Sequence, residues 1–472
     1  MDEPSHTPDA NARNLQGQLP DMQQLRQFFD SGATRSYEWR RQQLQKLRSA
    51  ILDHDPAIHQ ALHTDLRKSP EEAYGSETGL VLSEIRHTLA HLKKWMRPRS
   101  VRTNLVNWPS SSRIYRDPLG VVLIIAPWNY PLQLALLPLA GAIAAGNAVV
   151  LKPSELAPAT AILLEKILTS LFPPDYVRVV QGDGAVVVPA LLSNFRFDHI
   201  FFTGSVPTGR SIYRLAAQDL VPVTLELGGK SPAVVEKDAD LVTAARRIVL
   251  GKFTNAGQTC IAPDYLLLHA DVKDKFLQQL QETIKKFYGE DPQKSPDYSR
   301  IIHARRFDTL VSYLSQGKII SGGQYDKEDL FIAPTLLENV ALDEPLMAEE
   351  IFGPLLPVFT YRTMEEALAI IRRHPGPLAF YLFTKDKGMQ KNWMEKLPFG
   401  GGCINNTDWH FTNHHLPFGG IGNSGIGAYH GKYTFDTFSH AKPVMQTPVS
   451  IDPAIKYPPF KGKLKWFKIF MR

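Results

Sequence analysis

The sequence predicts an α/β protein with two open, doubly wound sheets. Strand-like runs of aliphatic and β-branched residues alternate with helix-like segments from residue 120 to residue 400, and short junctions rich in Pro, Gly or Asp separate them. A chain of 472 residues is also too long for a single hydrophobic core. Together these observations predict at least two domains of the doubly wound class.

The composition indicates a folded protein without disulfides. Hydrophobic residues make up 43% of the chain and charged residues 21%, which excludes a mainly disordered chain. Cys260 and Cys403 are the only cysteines, and the polar start of the sequence lacks the apolar core of a signal peptide, so we expect a cytoplasmic protein. The six Lys and Arg of residues 456–472 account for the whole net charge of +6, and the neutral remainder argues against nucleic-acid binding.

The first series of elements begins with a helical pattern before residue 100, as in residues 40–52. Residues 120–155 are strongly apolar, but prolines and asparagines interrupt them where a membrane helix needs continuity. We therefore expect a βαβ unit, with strands at 120–126 and 148–153 around a buried helix at 132–146. The helix and strand pairs that follow are 157–171 with 176–182, 185–193 with 197–204, and 210–218 with 221–227.

A second series spans residues 232–400. The strand candidates include residues 233–236 and 378–384, and the helix candidates include residues 271–288 and 363–373. This repetition of the alternating pattern predicts the second doubly wound sheet.

Residues that follow the strands are the first candidates for a site, because doubly wound sheets bind ligands at the carboxyl ends of their strands. The turn from Gly204 to Gly209 suits a pyrophosphate beside a helix N-terminus, although an ordinary strand-to-helix turn uses the same residues. Lys152 and Glu155 suit an adenosine ribose or, alternatively, form a solvated ion pair. Glu226 ends an apolar strand, where it is either a general base with a raised pKa or a cap for nearby N–H groups.

Cys260 stands in an unusual neighbourhood for a structural cysteine. Asn255, Gly257, Gln258 and Thr259 precede it, and these residue types are uncommon in a core. The pattern predicts an accessible thiol, and the alternative is a small, half-buried residue in a turn.

Seven motifs occur in the order found in the NAD(P)-dependent aldehyde dehydrogenase superfamily, which the chain resembles over most of its length. They are PWNYP (127–131), LKPSE (151–155), FTGSVPTG (202–209), LELGGKSP (225–232), GQTC (257–260), EIFGP (350–354) and PFGGIGNSG (417–425). Residues 416–440 are similar to the class 3 and fatty aldehyde dehydrogenase branch.

The resemblance implies how the chain is divided. A Rossmann-like NAD(P)-binding domain would comprise residues 20–98 and 119–225, and a catalytic domain would comprise residues 226–411. Residues 99–118 and 412–450 would form a small bridging arm that joins two subunits of a homodimer. A polar N-terminal segment, 1–19, and a basic aromatic tail, 451–472, would flank these units.

The resemblance also implies a covalent mechanism. Cys260 is the expected nucleophile, whose thiolate adds to the aldehyde carbonyl, and hydride transfer from the thiohemiacetal to the nicotinamide ring leaves a thioester. The side-chain amide of Asn129 and the backbone N–H of Cys260 are expected to stabilise the alkoxide. Glu226 is expected to activate the water that hydrolyses the thioester.

The implied cofactor is NAD, with NADP left open, because the Glu155 carboxylate would favour free ribose hydroxyls over a 2′-phosphate. The remaining expected cofactor residues are Trp128 and Lys152 at the adenosine half, Gly204, Ser205 and Gly209 at the pyrophosphate, Leu227 beside it, and Glu350 and Phe352 at the nicotinamide ribose.

The tail is the most individual feature of the sequence. A helix over 460–472 would place Leu464, Phe467 and Met471 on one side, with Trp466 and Phe470 flanking them, and Lys461, Lys465, Lys468 and Arg472 on another. That pattern suits a helix in an anionic membrane surface, and the alternative is an arm packed on protein. A membrane-docked enzyme would take lipophilic aldehydes, whether medium- or long-chain aliphatic, aromatic or apocarotenoid.

Two other functions stay open at this point. In an acylating aldehyde dehydrogenase coenzyme A takes the acyl group and no base is needed, whereas a silent scaffold on the same fold needs no catalytic group. The joint presence of Cys260, Glu226 and Asn129 argues against both.

Three histidines, His410, His414 and His415, lie close together in the sequence. No cysteine or paired carboxylate accompanies them, so they predict the border of a substrate funnel and no metal site. Cys403 is predicted to be a small residue in a strand or turn.

Overall fold

A computed structural model describes residues 21–471 of the chain. The predictions for residues 1–19 and for Arg472 therefore concern residues outside the described part. The first described segment is a helical layer, as the sequence predicts. Its helices are α1 (Gln23–Asp30), α2 (Tyr37–Asp53), α3 (Asp55–Leu66), α4 (Pro70–Ala73) and α5 (Gly79–Met96), with a π-helical turn, Tyr74–Thr78, before the last.

Helix α2 shows why this layer forms. It begins after Ser36, whose side chain accepts a hydrogen bond from the backbone N–H of Trp39. Its buried residues include Leu44, Leu47 and Ile51, which recur every three or four positions and face the protein interior.

The chain then leaves the layer through two strands of a small separate sheet, β1 (Arg99–Val101) and β2 (Ser111–Pro118).

The first doubly wound unit follows the predicted order. Every residue of its strands β3 and β4 is buried, and so is every residue of α6, so the apolar run 120–155 forms protein core. Within residues 21–471, no helix is both long and apolar enough to cross a bilayer. The elements are β3 (Val121–Ile125), α6 (Gln133–Ala145), β4 (Ala148–Lys152), α7 (Pro158–Leu171), β5 (Val177–Val179), α8 (Gly184–Asn194), β6 (His199–Gly204), α9 (Val206–Gln218) and β7 (Val223–Leu227).

The second doubly wound unit also agrees with the alternating pattern. Its elements are β8 (Pro232–Val235), α10 (Leu241–Phe253), β9 (Tyr265–His269), α11 (Lys273–Tyr288), α12 (Ala304–Tyr313), β10 (Lys318–Ser321), β11 (Tyr325–Asp326), β12 (Phe331–Ile332), β13 (Thr335–Glu338), α13 (Pro345–Ala348), β14 (Leu355–Tyr361), α14 (Met364–Ile371), β15 (Ala379–Phe383), α15 (Lys387–Lys396) and β16 (Gly401–Ile404). The seven-stranded sheet has the order β10-β13-β14-β9-β8-β15-β16, and only β10 runs antiparallel to its neighbour.

The C-terminal part of the chain adds one strand to the first doubly wound sheet and one strand to the small sheet of β1 and β2. It contains β17 (Gly425–Ile426), α16 (Lys432–Thr437), β18 (Ser439–Gln446) and α17 (Leu464–Phe470). Strand β17 pairs antiparallel with β7 and completes a six-stranded sheet of order β17-β7-β6-β3-β4-β5, whose other neighbours are parallel. Strand β18 pairs antiparallel with the whole of β2, which gives the small sheet β1-β2-β18.

The tail helix is shorter than the predicted helix over 460–472. Helix α17 begins only at Leu464, so Lys461 precedes it and Met471 follows it. Gly462, with a φ of +84°, interrupts the helical conformation just before that start. The apolar side chains of α17 are nevertheless largely exposed, as in Leu464 and Trp466.

The strand order places the candidate site. Strand β3 lies between β4 and β6. From β3 the chain adds β4 and β5 on one side and then returns to add β6 and β7 on the other side. Such a reversal of strand order leaves a crevice at the carboxyl ends of the strands. Residues 126–131 follow β3, residues 204–209 include the end of β6, and residues 226–229 include the end of β7, so the three segments meet at this edge.

Candidate active site

Two cavities meet at Cys260. One has a volume of about 550 Å³ and the other about 650 Å³. Four residues line both of them: Leu134, Thr203, Glu226 and Cys260. The sulfur-bearing residue and a carboxylate thus stand at the boundary between two spaces, each large enough for a small molecule.

The loop that carries Cys260 has an unusual backbone. Asn255, Ala256 and Gly257 follow α10 with φ values of 53°, 50° and 75°, in the left-handed region. A Cβ on Gly257 would stand 2.3 Å from the carbonyl oxygen of Gly353, so only glycine fits there.

The expectation that the residues before Cys260 lie outside the core is wrong, because Asn255 and Gln258 are fully buried and Gly257 and Thr259 are buried as well. Gln258 donates through Nε2 to the carbonyl oxygens of Asn255, at 3.0 Å, and Arg300, at 2.9 Å, and its Oε1 accepts from the N–H of Ile302 at 3.0 Å. These hydrogen bonds replace the ones that the side chain would make to water, so the buried polar side chain stabilises the conformation of the loop.

Cys260 itself is half-buried. Burial, together with the nearby carboxyl groups of Glu350 and Glu226, raises the pKa of its thiol above the usual value. The sulfur is therefore a thiol at neutral pH, and its use as a nucleophile requires a base that takes the proton.

Asn129 lies in the loop between β3 and α6 and is buried. Its Nδ2 donates to the carbonyl oxygen of Gln258 at 2.9 Å, which holds the amide against the Cys260 loop. An amide nitrogen carries two hydrogens, and one of them remains for a ligand in the cavity that both Asn129 and Cys260 line.

Glu226 lies in β7, one residue before the strand ends, and is buried. Neither carboxylate oxygen has a hydrogen-bond partner among the described residues. Burial raises the pKa of Glu226 well above its usual range. The capping alternative is therefore not met within residues 21–471, and the carboxyl group is free to exchange protons in the cavities.

The smaller cavity suits a dinucleotide. Ser205 caps the N-terminus of α9 by accepting from Thr208, and this N-terminus with its unpaired N–H groups lies at the cavity wall. Two glycines allow side chains to approach the backbone closely: a Cβ on Gly209 would stand 2.5 Å from Cδ2 of Leu227, and one on Gly228 would stand 1.7 Å from Oε2 of Glu350. These contacts fit the NAD(P) cofactor that the resemblance implies.

Most of the expected cofactor residues come together, and two do not. Trp128, Gly204, Ser205, Glu350 and Phe352 line the smaller cavity, whereas Gly209 and Leu227 pack directly behind its wall. Lys152 and Glu155 lie outside the lining and form an ion pair with each other. Glu155 also accepts from the N–H of Gly184 at 3.1 Å.

A buried ion pair that the sequence analysis missed holds the segment with Glu350 and Phe352. Lys230 Nζ and Asp264 Oδ2 are 2.5 Å apart, and Lys230 also donates to the carbonyl oxygen of Glu349 at 2.8 Å. Asp264 accepts from the N–H of Ile351 at 2.9 Å. Lys230 belongs to the LELGGKSP motif, so its position was visible in the sequence, but its partner was not.

The larger cavity is mainly apolar and aromatic. Its lining includes Tyr130, Phe287, Trp409, Phe411, Phe418 and Tyr429. The sequence analysis placed only the stretch around residues 410–415 near a substrate funnel, and Trp409, Phe411 and Thr412 from that stretch do line the cavity. The other aromatic residues come from segments far apart in the chain, so no local pattern could mark them.

Asp408 is another lining residue that the sequence analysis missed. The Tyr381 hydroxyl lies 2.6 Å from the carbonyl oxygen of Ile261 and 3.0 Å from Oδ1 of Asp408. The hydroxyl therefore has two acceptors, and the nearer of them is the carbonyl oxygen of Ile261. Burial raises the pKa of Asp408 to about 8, which agrees with a neutral carboxyl group in the cavity at pH 7.

The three histidines do not gather around a common point. His414 Nδ1 lies 2.9 Å from Oε2 of Glu84, whereas His410 Nδ1 lies 3.6 Å from the sulfur of Cys403 in β16. Among residues 21–471, no group of His, Cys, Asp and Glu side chains has the arrangement of a metal site.

Comparisons with known proteins agree over most of the chain. The sequence profile of the aldehyde dehydrogenase family matches residues 21–444. The chain is 45% identical to a 4,4'-diaponeurosporen-aldehyde dehydrogenase of Staphylococcus aureus, over 94% of this chain and 97% of that one. It is 47% identical to aldehyde dehydrogenase family 3 member H1 of Arabidopsis thaliana, over 94% and 93% of the two chains.

Solved structures give the same result. A substrate-bound state of Staphylococcus aureus AldH superposes with a TM-score of 0.93 at 44% identity, over 95% of this chain and 98% of that chain. The NAD+ complex of a Bacillus cereus aldehyde dehydrogenase has a TM-score of 0.81 at 27% identity and covers 90% and 88% of the two chains. An NADP complex of a Methanocaldococcus jannaschii glyceraldehyde-3-phosphate dehydrogenase has a TM-score of 0.83 at 26% identity and covers 94% and 96%.

Proposed function

The chain belongs to the aldehyde dehydrogenase family, and from that premise we propose that Cys260, Asn129 and Glu226 are its catalytic residues and that its substrates are lipophilic aldehydes. The family membership makes it an NAD(P)-dependent enzyme that oxidises aldehydes to carboxylic acids. The observation that carries the residue assignment is that Cys260 and Glu226 line both cavities.

The reaction begins at the sulfur. The raised pKa of Glu226 makes its ionised form a stronger base than an exposed carboxylate. In this form Glu226 takes the proton of the Cys260 thiol, and the sulfur then bonds to the carbonyl carbon of the aldehyde. The alkoxide oxygen accepts hydrogen bonds from the Asn129 amide and the Cys260 N–H. Asn129 is held for this purpose by its bond to Gln258.

NAD(P), when bound in the smaller cavity, supplies the two-electron acceptor for the oxidation. The acyl group then remains on Cys260 as a thioester. Glu226 first releases the proton of the thiol to solvent and then takes a proton from water. The resulting hydroxide attacks the acyl carbon and displaces the sulfur, which regains a proton from Glu226 as the carboxylic acid leaves. The remaining cofactor assignments, Trp128, Lys152, Glu155, Gly204, Ser205, Gly209, Leu227, Glu350 and Phe352, are part of the proposal.

The substrate proposal rests on the larger cavity. Its aromatic lining suits an extended apolar chain. The acidic and basic residues of the lining are Glu71, Glu72, Glu226, Lys286, Asp297 and Asp408. Two relatives support this class by name, since one acts on 4,4'-diaponeurosporen-aldehyde and the other is a class 3 member. Neutral Asp408 leaves the apolar character of the cavity intact.

The decisive experiment is NADH formation at 340 nm with aldehydes from propanal to hexadecanal, benzaldehyde and a C30 apocarotenal, with Cys260→Ala as the comparison. We expect kcat/KM to rise with chain length and the activity to disappear in the variant. Cys403→Ala is the matched control, because Cys403 lines neither cavity, and it should retain activity. Equal rates for all chain lengths would contradict the substrate proposal, and an active C260A would contradict the nucleophile.

The acylating alternative predicts a different product. It would require coenzyme A for turnover, whereas hydrolysis through Glu226 proceeds in its absence. Acyl-CoA formation by the purified protein, detected by mass spectrometry, would favour this alternative.

We propose a homodimer formed through the arm. The small sheet β1-β2-β18 and the connection between β1 and β2 leave apolar side chains exposed, namely Leu105, Val106, Trp108, Val444 and Met445. A second copy would cover them. Light scattering should give twice the chain mass for the wild-type protein and a monomer for the charge variant Val444→Lys; a wild-type monomer would contradict the proposal.

We also propose that the tail docks on an anionic membrane surface. Helix α17 carries Lys465 and Lys468 together with exposed apolar residues, and Lys461 and Lys463 precede it. Such a combination binds an interface without spanning it.

A further inference from the structure

A fully buried ion pair lies behind the proposed oxyanion donor. Lys68 Nζ and Glu77 Oε1 are 2.5 Å apart, and neither side chain has any exposed surface. Lys68 follows α3, and Glu77 lies in the π-helical turn before α5. Neither residue lines a cavity. Because desolvation makes a buried ion pair costly, its other hydrogen bonds indicate what it does for the fold.

Lys68 contacts the active-site loop from behind. Its ammonium group donates to the carbonyl oxygen of Asn129 at 3.1 Å. It also lies 4.0 Å from the centre of the Tyr130 ring, on which it packs as a cation–π contact. The glutamate, the carbonyl and the ring together account for the three hydrogens of the ammonium group.

Glu77 contacts the other end of the same loop. Its Oε2 accepts from the backbone N–H of Leu132 at 2.8 Å and from that of Gln133 at 3.2 Å. These N–H groups belong to the start of α6, where a negative charge is stabilised by the helix dipole. The ion pair therefore holds the backbone at both ends of residues 129–133.

The carbonyl oxygen of Asn129 also connects to the nucleophile loop. It accepts a second hydrogen bond, at 2.8 Å, from Nδ2 of Asn255, and the Asn129 side chain donates to Gln258 at 2.9 Å. A shift of the Asn129 backbone would therefore change the direction of its amide relative to Cys260.

We propose that the Lys68–Glu77 pair positions the Asn129 amide for the alkoxide. The pair touches no substrate and acts only through Asn129. This inference rests on the proposed function, in which Asn129 donates to that oxygen.

The test is a double-mutant cycle on kcat. Lys68→Met removes the donor to the Asn129 carbonyl, and we expect kcat to fall on the order of 10²-fold, as for a displaced catalytic group, with less than about a twofold change in KM for NAD. In the Asn129→Ala background the same substitution should change kcat less than about twofold, because no amide remains to be positioned.

Two outcomes would overturn the inference. The first is an unchanged kcat in K68M, and the second is an equal loss in both backgrounds. Full activity of N129A would instead refute the oxyanion assignment itself, so the two failures are distinguishable.

A second variant and a second readout separate positioning from general damage. Glu77→Gln weakens the other half of the pair and should show the same dependence on Asn129. Alkylation of Cys260 by iodoacetamide forms no alkoxide, so its rate should stay unchanged in K68M and E77Q.

Arg26→Met is the control for the loss of an ion pair. It breaks the contact of 2.7 Å between Arg26 and Asp198, neither of which lines the two cavities, and it should lower the melting temperature without lowering kcat. A K68M defect that appears equally in the alkylation rate would overturn the proposal.

Discussion

At the residue scale, the chemistry of the site comes from side chains whose protons are controlled by burial. Glu226, Cys260 and Asp408 each have a pKa raised by desolvation. At neutral pH the larger cavity therefore contains the thiol of Cys260 and the neutral carboxyl group of Asp408, and this state is compatible with apolar substrates. Proton transfer to Glu226 is then the step that starts the reaction.

The substitution Glu226→Gln tests this role. We expect kcat to fall by about 10²- to 10⁴-fold, because neither the thiol nor the water loses its proton to an amide. Both steady-state turnover and NADH formation in a single turnover should slow. Glu236→Gln is the matched control: Glu236 follows the neighbouring strand β8, is buried and accepts from Trp393 Nε1 at 2.8 Å, but lines neither cavity. Wild-type kcat in E226Q would contradict the assignment.

The carboxyl group of Asp408 makes a pH-dependent contribution to stability. Its pKa is about 8 in the fold and 3.8 without the fold, so the native state binds more protons than the unfolded state between these values. The free energy of unfolding should therefore decrease from pH 4 to pH 8 and level off above it, and Asp408→Asn should abolish this component. Urea unfolding of both proteins at pH 5, 7 and 9 measures the difference.

The expected sign is that D408N gains stability relative to the wild-type protein as the pH rises. The amide oxygen of an asparagine can accept from the Tyr381 hydroxyl as Oδ1 of Asp408 does. A difference that is the same at all three pH values would show that Asp408 is ionised throughout.

At the element scale, the turns after the strands decide which groups meet. The strands β3, β6 and β7 are ordinary buried strands, but their carboxyl ends bring Asn129, Ser205 and Glu226 to one edge. The Cys260 loop reaches that edge only through three consecutive left-handed residues, Asn255 to Gly257. This backbone is the conformationally most demanding part of the site.

The substitution Gly257→Ala tests whether the loop requires glycine at this position. Its Cβ would stand 2.3 Å from the Gly353 carbonyl oxygen, so the loop must move, and we expect loss of activity together with a lower melting temperature. Gly32→Ala is the control, since Gly32 also has a positive φ of 77° but a Cβ there meets only ordinary contacts of 3.7 Å or more. G32A should cost about 1–2 kcal/mol in the free energy of unfolding and leave kcat intact. Equal effects of the two substitutions would contradict the steric argument.

At the scale of the whole molecule, we assign separate roles to the two doubly wound sheets, to the arm with the small sheet β1-β2-β18, and to the tail. In the proposed function, the first sheet supplies the crevice for the dinucleotide and the second unit carries the Cys260 loop and the segment with Glu350. Lys68, which follows helix α3, contacts the backbone of the proposed oxyanion donor Asn129. The tail lies beyond the last strand of the arm and carries exposed apolar and basic side chains.

A truncation to residues 1–455 tests membrane docking. The full chain should co-sediment with phosphatidylserine vesicles and bind phosphatidylcholine vesicles only weakly, because the lysines add attraction to anionic lipid. The truncated chain should lose this binding but keep its kcat for propanal. Leu220→Ala, which removes an exposed leucine far from the tail in sequence, is the control and should bind as the wild-type protein does. Equal sedimentation of the full and truncated chains would contradict docking.

The sequence by itself determined the fold class, the order of elements and the family, because these depend on local periodicity and on motifs such as GQTC and LELGGKSP. It placed the buried helix at 132–146, where α6 spans Gln133–Ala145, and it ruled out a membrane span for residues 120–155. Only the tertiary structure decided that Asn255 and Gln258 are buried and that burial raises the pKa of Asp408 in the larger cavity. It alone paired Lys68 with Glu77 behind Asn129. The physical reason is that burial, pKa and hydrogen-bond partners depend on groups distant in the chain, which no local pattern contains.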